Sequence, residues 1–314
     1  MPEGLAAGAR VVVTGGHGFI GRYVVAALAA DGFSTVAVAH PKGDPVDVPH
    51  ESAVVDLTDA PAVDALLEGA EAVVHLAARA GGVQFQAERA AEVFRSNREI
   101  TDTVVSGARR AGVSRVFLAS STVVYRSAPE PLTEDHPLLS LGDNPSPYAW
   151  SKITDEVVAS WVDDVEVVVG RFGNVYGPGA PFDAQRSTVV HALIDRAARL
   201  EAGEPLTVWG DGSAVRSFVF VEDVARAVSL ILTAGAAGTA YNVDSGEAVA
   251  IRDLAAAVVA AVAPEARIVF DAAKPSGPSS RVASIDRLQD LGFQPRTSLS
   301  DGVARTVSAY RSGG

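Results

Sequence analysis

A single stretch near the start of this 314-residue chain decides its fold: Val11-Val12-Val13-Thr14-Gly15-Gly16-His17-Gly18-Phe19-Ile20-Gly21. The apolar run predicts a buried strand, and the glycines that follow predict a tight turn into a helix. Glycine lets the backbone come close to a pyrophosphate, and the free N–H groups at the start of the helix attract its negative charge. The stretch therefore predicts a dinucleotide-binding loop. Its predicted contacts to the dinucleotide are Gly15, Gly18, Phe19, Ile20 and Gly21.

The alternation of a short Val-rich run with a longer amphipathic segment continues to about Arg171. The predicted strands are Val11–Thr14, Thr35–Ala39, Ala53–Val55, Ala72–Leu76, Val116–Ala119 and Val165–Gly170. These runs are too short and too uniformly apolar for half-exposed strands, so they predict a parallel sheet that is buried on both faces. The predicted helices are Gly18–Asp31, Pro61–Leu67, Ala87–Ala111 and Tyr148–Trp161. The pattern is that of an α/β fold, a Rossmann doubly wound parallel sheet.

After Arg171 the sequence changes to loops rich in Gly, Pro, Asp and Ser, with short helices between them. Because domains average roughly 150 residues, we expect two domains. Residues 1–171 are predicted to form the NAD(P)-binding domain. Residues 172–314 are predicted to form mainly a smaller C-terminal substrate-binding lobe, with segments such as 214–245 returning to the first domain.

Charge and composition argue against several classes of protein. The formal net charge of −12 argues against broad contact with nucleic acid, which needs clustered Lys and Arg. The chain is 48% hydrophobic, but no apolar run approaches the ~20 residues of a membrane span. The first ten residues do not resemble a secretory signal, and there is no cysteine for thiolate chemistry or a thiolate metal site. We expect a cytoplasmic protein with no metal, no nucleic-acid partner and no membrane partner.

The residues after the second predicted strand bear on the type of cofactor. NAD-binding domains usually place an acidic side chain there for the ribose hydroxyls, whereas NADP-binding domains place a cation near the 2′-phosphate. This chain has Ala39-His40-Pro41-Lys42. The missing acid favours NADP(H), with Lys42 within reach of the 2′-phosphate and His40 among the cofactor contacts, and NAD stays the alternative. Asp56 and Leu57, after the third strand, are expected near the adenine.

Tyr148 and Lys152 form a pair one helical turn apart, so both side chains lie on the same helix face. A tyrosine hydroxyl is a weak acid, with an ordinary pKa of about 10, and a neighbouring ammonium favours its phenolate form. Ser121 ends the run Phe117-Leu118-Ala119-Ser120-Ser121, at the sheet edge where ligands bind in such folds. The three residues predict proton transfer by Tyr148 at a substrate oxygen to which Ser121 is hydrogen-bonded.

Together the motifs resemble the extended short-chain dehydrogenases/reductases, the NAD(P)-dependent nucleotide-sugar epimerase/dehydratase family. The resemblance covers almost the whole chain and rests on the glycine loop and on His75-Leu76-Ala77-Ala78, Ser120–Tyr125, Tyr148-x-x-x-Lys152, Arg171–Gly179, Val208–Gly212, Arg216–Val219 and Val221–Val224. It implies further cofactor contacts from Leu76, Ala77, Ala78, Asn97, Ala119, Tyr148 and Lys152. It implies contacts to a nucleotide-sugar substrate from Ser121, Thr122, Asn174, Arg196, Trp209, Arg216 and Arg281. It also implies a homodimer through the helices Ala87–Ala111 and Tyr148–Trp161.

Departures from the family pattern narrow the chemistry. Dehydratases of the group carry an Asp-Glu pair directly after the catalytic hydroxyl residue, and Thr122 and Val123 stand there in this chain, so dehydration is disfavoured. The chain otherwise looks most like the GDP-fucose synthases, which use a Cys and a His for a second reaction. Val123 and Thr188 occupy those two positions. His191 lies three residues further along, so we expect it to point elsewhere, as a core or surface histidine.

Two reactions remain for this set of residues. The first is the NADPH-dependent reduction of the 4-keto group of a nucleotide-linked 4-keto-6-deoxyhexose, with Tyr148 as the proton donor. The missing acid after the second strand and the synthase-like segments Gly81-Gly82-Val83 and Lys274-Pro275-Ser276-Gly277 favour it. The second is the NAD-dependent 4-epimerisation of a nucleotide sugar.

Two further points stay open in the sequence. A non-catalytic NAD(P)-binding sensor is the alternative of another class, and the intact Tyr148 and Lys152 pair argues against it. Arg171 is either a fourth cation for the substrate phosphates or a structural residue at a strand end.

Overall fold

The large sheet contains seven parallel strands, and β1, which leads into the glycine loop, lies inside it. The computed structural model describes residues 5–41, 50–79, 88–143, 145–182, 187–274 and 279–312. Its strands are, in chain order, β1 (Arg10–Thr14), β2 (Ser34–Ala39), β3 (Glu51–Val54), β4 (Ala72–His75), β5 (Arg115–Ser121), β6 (Glu166–Phe172), β7 (Asn174–Tyr176), β8 (Leu206–Trp209), β9 (Val215–Arg216), β10 (Phe218–Phe220), β11 (Ala240–Val243), β12 (Val249–Ala250), β13 (Ile268–Asp271) and β14 (Ser280–Arg281). The order across the large sheet is β11-β6-β5-β4-β1-β2-β3, which confirms the predicted doubly wound α/β fold.

Helices cover both faces of this sheet. The helices of the described residues are α1 (Phe19–Ala30), α2 (Ala60–Leu67), α3 (Ala90–Arg110), α4 (Pro147–Ala159), α5 (Val189–Ala198), α6 (Val221–Ala234), α7 (Ile251–Val262), α8 (Asp286–Asp290) and α9 (Leu299–Arg311), of which α1 and α6 cover one face of the large sheet and α2 and α3 the other. In β1, Val11 and Val13 pack into the core beneath α1 and α6, while Val12 packs into the core beneath α2 and α3. Because side chains alternate between the two faces of a strand, an unbroken valine run fits a strand that is buried on both sides.

The edge of the sheet departs from the prediction. The sequence predicts a buried strand for the third apolar run, but β3 pairs only with β2 and lies at the outer edge of the large sheet. Its Val54 side chain is 60% exposed. The expectation of burial on both faces is wrong for this strand, because a run of three apolar residues does not distinguish an edge position from a central one.

The chain after β6 contributes to two places. Helix α6 packs against α1, and β11 extends the large sheet beside β6, so part of the segment 214–245 lies with the large sheet. The remaining short strands and α5, α7 and α9 enclose a separate core that contains Leu193, Leu206, Leu254 and Val303. The division at residue 171 stays a prediction. No helix in the described ranges is long and apolar enough to cross a membrane.

Candidate active site

A cavity of about 250 Å³ lies at the carboxyl edge of β5 and β6. The lining residues come from the first turn of α1, the ends of β5 and β6, the start of α4, and the start of α5: Phe19, Ile20, Ser120, Ser121, Tyr148, Phe172, Gly173, Asn174, Val175, Ala180, Pro181, Thr188 and His191. Side chains of the predicted cofactor loop and of the predicted proton-transfer set therefore share one cavity.

The position of Tyr148 follows from the way α4 begins. Ser146 caps the helix by accepting a hydrogen bond from the Ala149 N–H, and Pro147 occupies the first turn. A serine cap followed by proline is a common helix start, because proline needs no hydrogen bond there and its φ is already helical. The helix consequently starts at the cavity, and Tyr148 lies in its first turn.

Ser121 faces the same cavity from the last position of β5. Its hydroxyl donates to the Phe172 carbonyl at 3.3 Å and accepts from the Val123 N–H at 3.4 Å. Both distances are long, since O–H···O bonds usually measure about 2.7–2.8 Å and N–H···O bonds about 2.9–3.0 Å between heavy atoms. The hydroxyl is thus held weakly enough to turn toward an oxygen of a bound ligand.

Lys152 lies one turn after Tyr148 on the same face of α4, as predicted from the sequence. Its side chain is 3% exposed, and its Nζ is 5.9 Å from the centre of the Tyr148 ring. The same Nζ lies 3.5 Å from a carboxylate oxygen of Asp155. A role for Asp155 was not predicted from the sequence, although its spacing of three residues from Lys152 on a helix indicates contact.

A second crevice, of about 760 Å³, runs from the glycine loop to the ends of β2 and β4. It is lined by Gly15, His17, Gly18, Val38, Ala39, His40, Asp56, Leu57, Thr58, Ala77, Ala78, Arg79, Glu92, Ser96 and Ile100. Many residues predicted to contact the cofactor thus share one surface. Phe19 and Ile20 instead line the smaller cavity that contains Tyr148.

The glycine loop leaves no room for other side chains. Gly15 has a φ of +70°, and a Cβ there would lie 3.1 Å from the Ala77 nitrogen. A Cβ on Gly21 would lie 2.0 Å from the carbonyl oxygen of Gly15. These close approaches pack the start of α1 tightly on the loop, and Gly15 and Gly18 line the crevice, which fits the pyrophosphate of a dinucleotide.

Some residues predicted to bind the cofactor have other surroundings. Asn97 is buried, accepts a hydrogen bond from the Arg79 N–H at 2.6 Å and donates to the Arg79 carbonyl and to Ser151. It therefore fixes the chain that follows β4. Ala119 is buried within β5, Leu76 packs against the core, and Lys42 lies outside the described residues.

Two arginines predicted to meet substrate phosphates are neighbours on adjacent strands. Arg216 of β9 is directly opposite Arg281 of β14. Burial lowers the pKa of both guanidinium groups, and the charge of Arg281 lowers that of Arg216 further. Within the described ranges, the buried Nε of Arg281 has no hydrogen-bond partner. Like charges directly opposite each other destabilise a sheet, so this pair is suited to an anion.

The other residues predicted to bind the substrate lie in different surroundings from one another. Asn174 lines the cavity, and its amide donates to the Ser217 carbonyl at 2.8 Å. Arg196 donates to the carbonyl of Thr207 in β8 at 3.0 Å. Trp209, at the end of the same strand, is 58% exposed, and the Lys274 ammonium lies over its ring. Thr122 is buried in a short 3-10 helix and is not among the residues that line the cavity.

Arg171 has a structural role. Its guanidinium is 2.6 Å from the Glu156 carboxylate and also donates to the Tyr125 hydroxyl and the Glu134 carbonyl. The Tyr125 hydroxyl in turn donates to Asn242 of β11 at 2.7 Å. The Arg171 guanidinium thus belongs to a buried hydrogen-bond network that connects β6 to its neighbours. Of the two roles that the sequence left open for Arg171, these contacts support the structural one.

The position of His191 differs from the expectation. It does not turn away from the cavity but lies in its wall beside Thr188, which is the N-cap residue of α5. The Thr188 hydroxyl is 2.8 Å from Nδ1, and Nε2 is 3.1 Å from the Gly177 carbonyl. Burial lowers the pKa of His191, which is fully enclosed, as expected for a core histidine.

The fold and this site define a nucleotide-binding oxidoreductase-type scaffold, and comparison with known proteins gives its family. The model of the NAD dependent epimerase/dehydratase family matches residues 11–244. The chain belongs to this family.

Known members are similar along nearly their whole length. A dTDP-4-dehydro-6-deoxy-D-allose reductase of a Streptomyces species is 33% identical, covering 97% of both chains. GDP-L-fucose synthase 1 of Arabidopsis thaliana is 30% identical, covering 96% of this chain and 92% of the other. Among solved structures, the UDP-glucose 4-epimerase of Thermus thermophilus in complex with NAD is 28% identical, with a TM-score of 0.81, and covers 97% of this chain and 100% of the other.

Proposed function

We propose that this protein reduces the 4-keto group of a nucleotide-linked 4-keto-6-deoxyhexose with NADPH. One observation carries the proposal: Ser121 and Tyr148 face one cavity together with Phe19 and Ile20 of the glycine-loop helix. A substrate carbonyl in that cavity would meet both the proton-transfer residues and the cofactor. The similarity to a 4-keto-6-deoxyhexose reductase and to a GDP-L-fucose synthase supports the same chemistry.

The residues supply the proton that this reduction needs. Bound NADPH supplies a hydride for C4 of the sugar, and the C=O bond becomes a C–O single bond. The Tyr148 hydroxyl donates its proton to the C4 oxygen, and Ser121 donates a hydrogen bond to the same oxygen. The Lys152 ammonium favours the phenolate that Tyr148 becomes. The products are the 4-hydroxy sugar nucleotide and NADP⁺, and a proton from solvent restores Tyr148.

The substrate diphosphate would lie on the opposed guanidinium groups of Arg216 and Arg281. Each forms charge-assisted hydrogen bonds that are stronger than neutral ones. Arg196 would add a third cation, Trp209 would pack on the base or sugar, and Asn174 would bind between diphosphate and sugar.

NADP(H) is the proposed cofactor, with NAD as the alternative. The end of β2, at Ala39 and His40, carries no carboxylate to bind the ribose hydroxyls. Lys42 would add a cation for the 2′-phosphate. The cofactor preference is measured directly by kcat/KM for NADPH and NADH with one keto sugar, and Lys42→Ala should lower the ratio.

The second proposed function is NAD-dependent 4-epimerisation. The similarity of the fold to a UDP-glucose 4-epimerase favours it. The two reactions differ in stoichiometry, because a reductase consumes one NADPH per sugar whereas an epimerase returns the hydride and consumes none. A purified protein that holds NAD tightly and interconverts C4 isomers without net NADPH loss would be an epimerase.

We further propose a cytoplasmic homodimer built on α3 and α4. Trp161, directly after α4, is 72% exposed, and Val157 on α4 is 39% exposed. Large apolar side chains at the surface often mark a protein interface.

The test is a screen of NADPH oxidation against dTDP-, GDP- and UDP-linked 4-keto-6-deoxyhexoses. The expected result is reduction of at least one sugar, slowed about 10²–10⁴-fold by Tyr148→Phe, in line with the usual contribution of a general acid. Tyr241→Phe is the matched control, since the Tyr241 hydroxyl accepts a hydrogen bond from the Ala236 N–H and Tyr241 does not line the cavity. Reduction at full rate by Tyr148→Phe would show that Tyr148 is not the proton donor, and binding without turnover of any sugar would support the non-catalytic sensor.

A further inference from the structure

Asp155 lies between the catalytic lysine and an arginine of the neighbouring helix. Its side chain is fully buried, with one carboxylate oxygen 3.5 Å from Lys152 Nζ and the other 2.6 Å from the Arg98 guanidinium. Arg98 belongs to α3 and is itself 13% exposed. On its outer side Arg98 also pairs with Asp102, which is 52% exposed. The four residues, Lys152, Asp155, Arg98 and Asp102, form a row of alternating charges that leads from the buried lysine toward the protein surface.

The geometry along α4 joins this row to the reacting group. Tyr148, Lys152 and Asp155 occupy positions i, i+4 and i+7 of the helix and therefore lie on one face. The cation of Lys152 thus has Tyr148 on one side and the carboxylate of Asp155 on the other. A charge that contacts Lys152 in a buried environment acts strongly, because little water is present to screen it.

The other groups around Lys152 do not replace this carboxylate. His75 of β4 hydrogen-bonds Thr14 at 2.8 Å and Thr101 at 3.2 Å, and burial together with the Lys152 charge lowers its pKa to about 3. It is therefore neutral near pH 7. Burial raises the pKa of Asp155, and the charges of Lys152 and Arg98 and a hydrogen bond from Thr101 oppose that rise by favouring the carboxylate. Thr101 itself contributes no charge. Among the described side chains in contact with Lys152, Asp155 supplies the negative charge.

We infer that Asp155 is a positioning residue for proton transfer, which holds the Lys152 ammonium in place and in its charged form, and that Arg98 limits this effect by sharing the carboxylate. The inference rests on the proposed function for the role of Lys152, but its electrostatic part does not depend on any substrate. It makes two predictions of opposite sign. Loss of the Asp155 charge makes both the ammonium form of Lys152 and the neutral form of Tyr148 less favourable, whereas loss of the Arg98 charge makes both more favourable.

The first measurement follows Lys152 itself. The chain contains only three lysines, Lys42, Lys152 and Lys274, so protein labelled with ¹³C at lysine Cε gives three signals, and Lys152→Arg identifies one of them. We expect Asp155→Asn to lower the titration midpoint of Lys152 by about one pH unit or more, and Arg98→Gln to raise it. Asp102→Asn is the matched control, since it removes an equal charge that touches Arg98 but not Lys152. In Asp102→Asn the titration midpoint of Lys152 should move by only a few tenths of a pH unit.

The second measurement uses the complete enzyme with NADPH and the keto sugar found in the screen. The alkaline limb of the kcat profile should move to lower pH in Asp155→Asn and to higher pH in Arg98→Gln, with the KM for the sugar nearly unchanged. A purely structural role would lower kcat without moving the limb. Equal shifts in Asp155→Asn and Asp102→Asn, or the same direction in Asp155→Asn and Arg98→Gln, would overturn the inference. If Asp155→Asn does not fold, the upward shift in Arg98→Gln decides.

The two proposals fail in different ways. If no nucleotide sugar is reduced, the proposed function is wrong, and the lysine titration still tests the charge coupling. If reduction is observed but the titration midpoint of Lys152 is the same in wild type, Asp155→Asn and Arg98→Gln, the proposed function stands and this inference is wrong.

Discussion

Replacing Arg281 by Gln should separate the stability of the protein from its affinity for a nucleotide diphosphate. Arg281 lies directly opposite Arg216, and its buried Nε has no hydrogen-bond partner among the residues the structure describes. Burial lowers the pKa of its guanidinium, so the positive charge is unfavourable there in the absence of a ligand. Glutamine keeps much of the length of the side chain and removes the charge.

The expected magnitudes follow from this environment. A hydrogen bond to a charged group contributes about 1.5–3 kcal/mol, so loss of one such bond to the diphosphate weakens binding about 10- to 100-fold. In the ligand-free protein the same change removes repulsion between two neighbouring cations. Its thermal midpoint should therefore stay the same or rise.

Isothermal titration with dTDP, GDP and UDP, together with thermal denaturation without ligand, measures both effects. Arg267→Gln is the matched control, because Arg267 is an exposed arginine elsewhere in the same lobe. An affinity within about twofold of wild type, combined with a lower thermal midpoint, would show that Arg281 stabilises the fold and does not bind the diphosphate.

Three further changes test other parts of the structure. Burial raises the pKa of Asp244 to about 6 from its ordinary 3.8, so the stability it contributes is present below about pH 4 and is lost as the pH rises through 6. Asp244→Asn should consequently raise the thermal midpoint relative to wild type more at about pH 7.5 than at about pH 5, and equal differences at the two pH values would contradict the assignment. His75→Leu leaves two threonine hydroxyls without their partner and should lower the free energy of unfolding in urea by about 2–3 kcal/mol, whereas no change would mean that the buried hydrogen bonds contribute nothing. Trp161→Asp should convert the proposed dimer to a monomer in light scattering, and an unchanged mass would place the interface elsewhere.

The parts of the fold that depend on local sequence could be predicted. The valine run of β1 and the glycines after it determine a strand, a turn and a helix within about 20 residues, because each needs only its neighbours. The contact between Tyr148 and Lys152 could be predicted in the same way, since a spacing of four residues on a helix places two side chains together.

The parts that depend on packing between distant segments could not be predicted in the same way. Nothing in the sequence near Asp155 indicates that Arg98 reaches it, because the contact exists only when α3 packs against α4. The exposure of β3 depends on which strand lies beyond it. The strand β11 has only four residues, and its place beside β6 follows from the tertiary fold.

The site shows the same division. The sequence identifies Arg216 and Arg281 as cations, but only the pairing of β9 with β14 shows that they are direct neighbours. For Arg171 the sequence leaves two roles open, and the contacts of its guanidinium to Glu156, Tyr125 and Glu134 support the structural one. The predicted position of His191 is wrong because it assumed that Thr188 and His191 lie in the same regular helix, whereas Thr188 is the N-cap residue that precedes α5.

The most direct test of the proposed reduction uses NADPH deuterated at the transferable position of C4 of the nicotinamide ring. The protein is incubated with this cofactor and a dTDP- or GDP-linked 4-keto-6-deoxyhexose, and the sugar product is analysed by NMR. We expect one deuterium at C4 of the sugar for each NADPH oxidised, and Tyr148→Phe should slow both NADPH oxidation and deuterium transfer about 10²–10⁴-fold. Interconversion of C4 isomers with no NADPH consumed and no deuterium incorporated would contradict the proposed reduction.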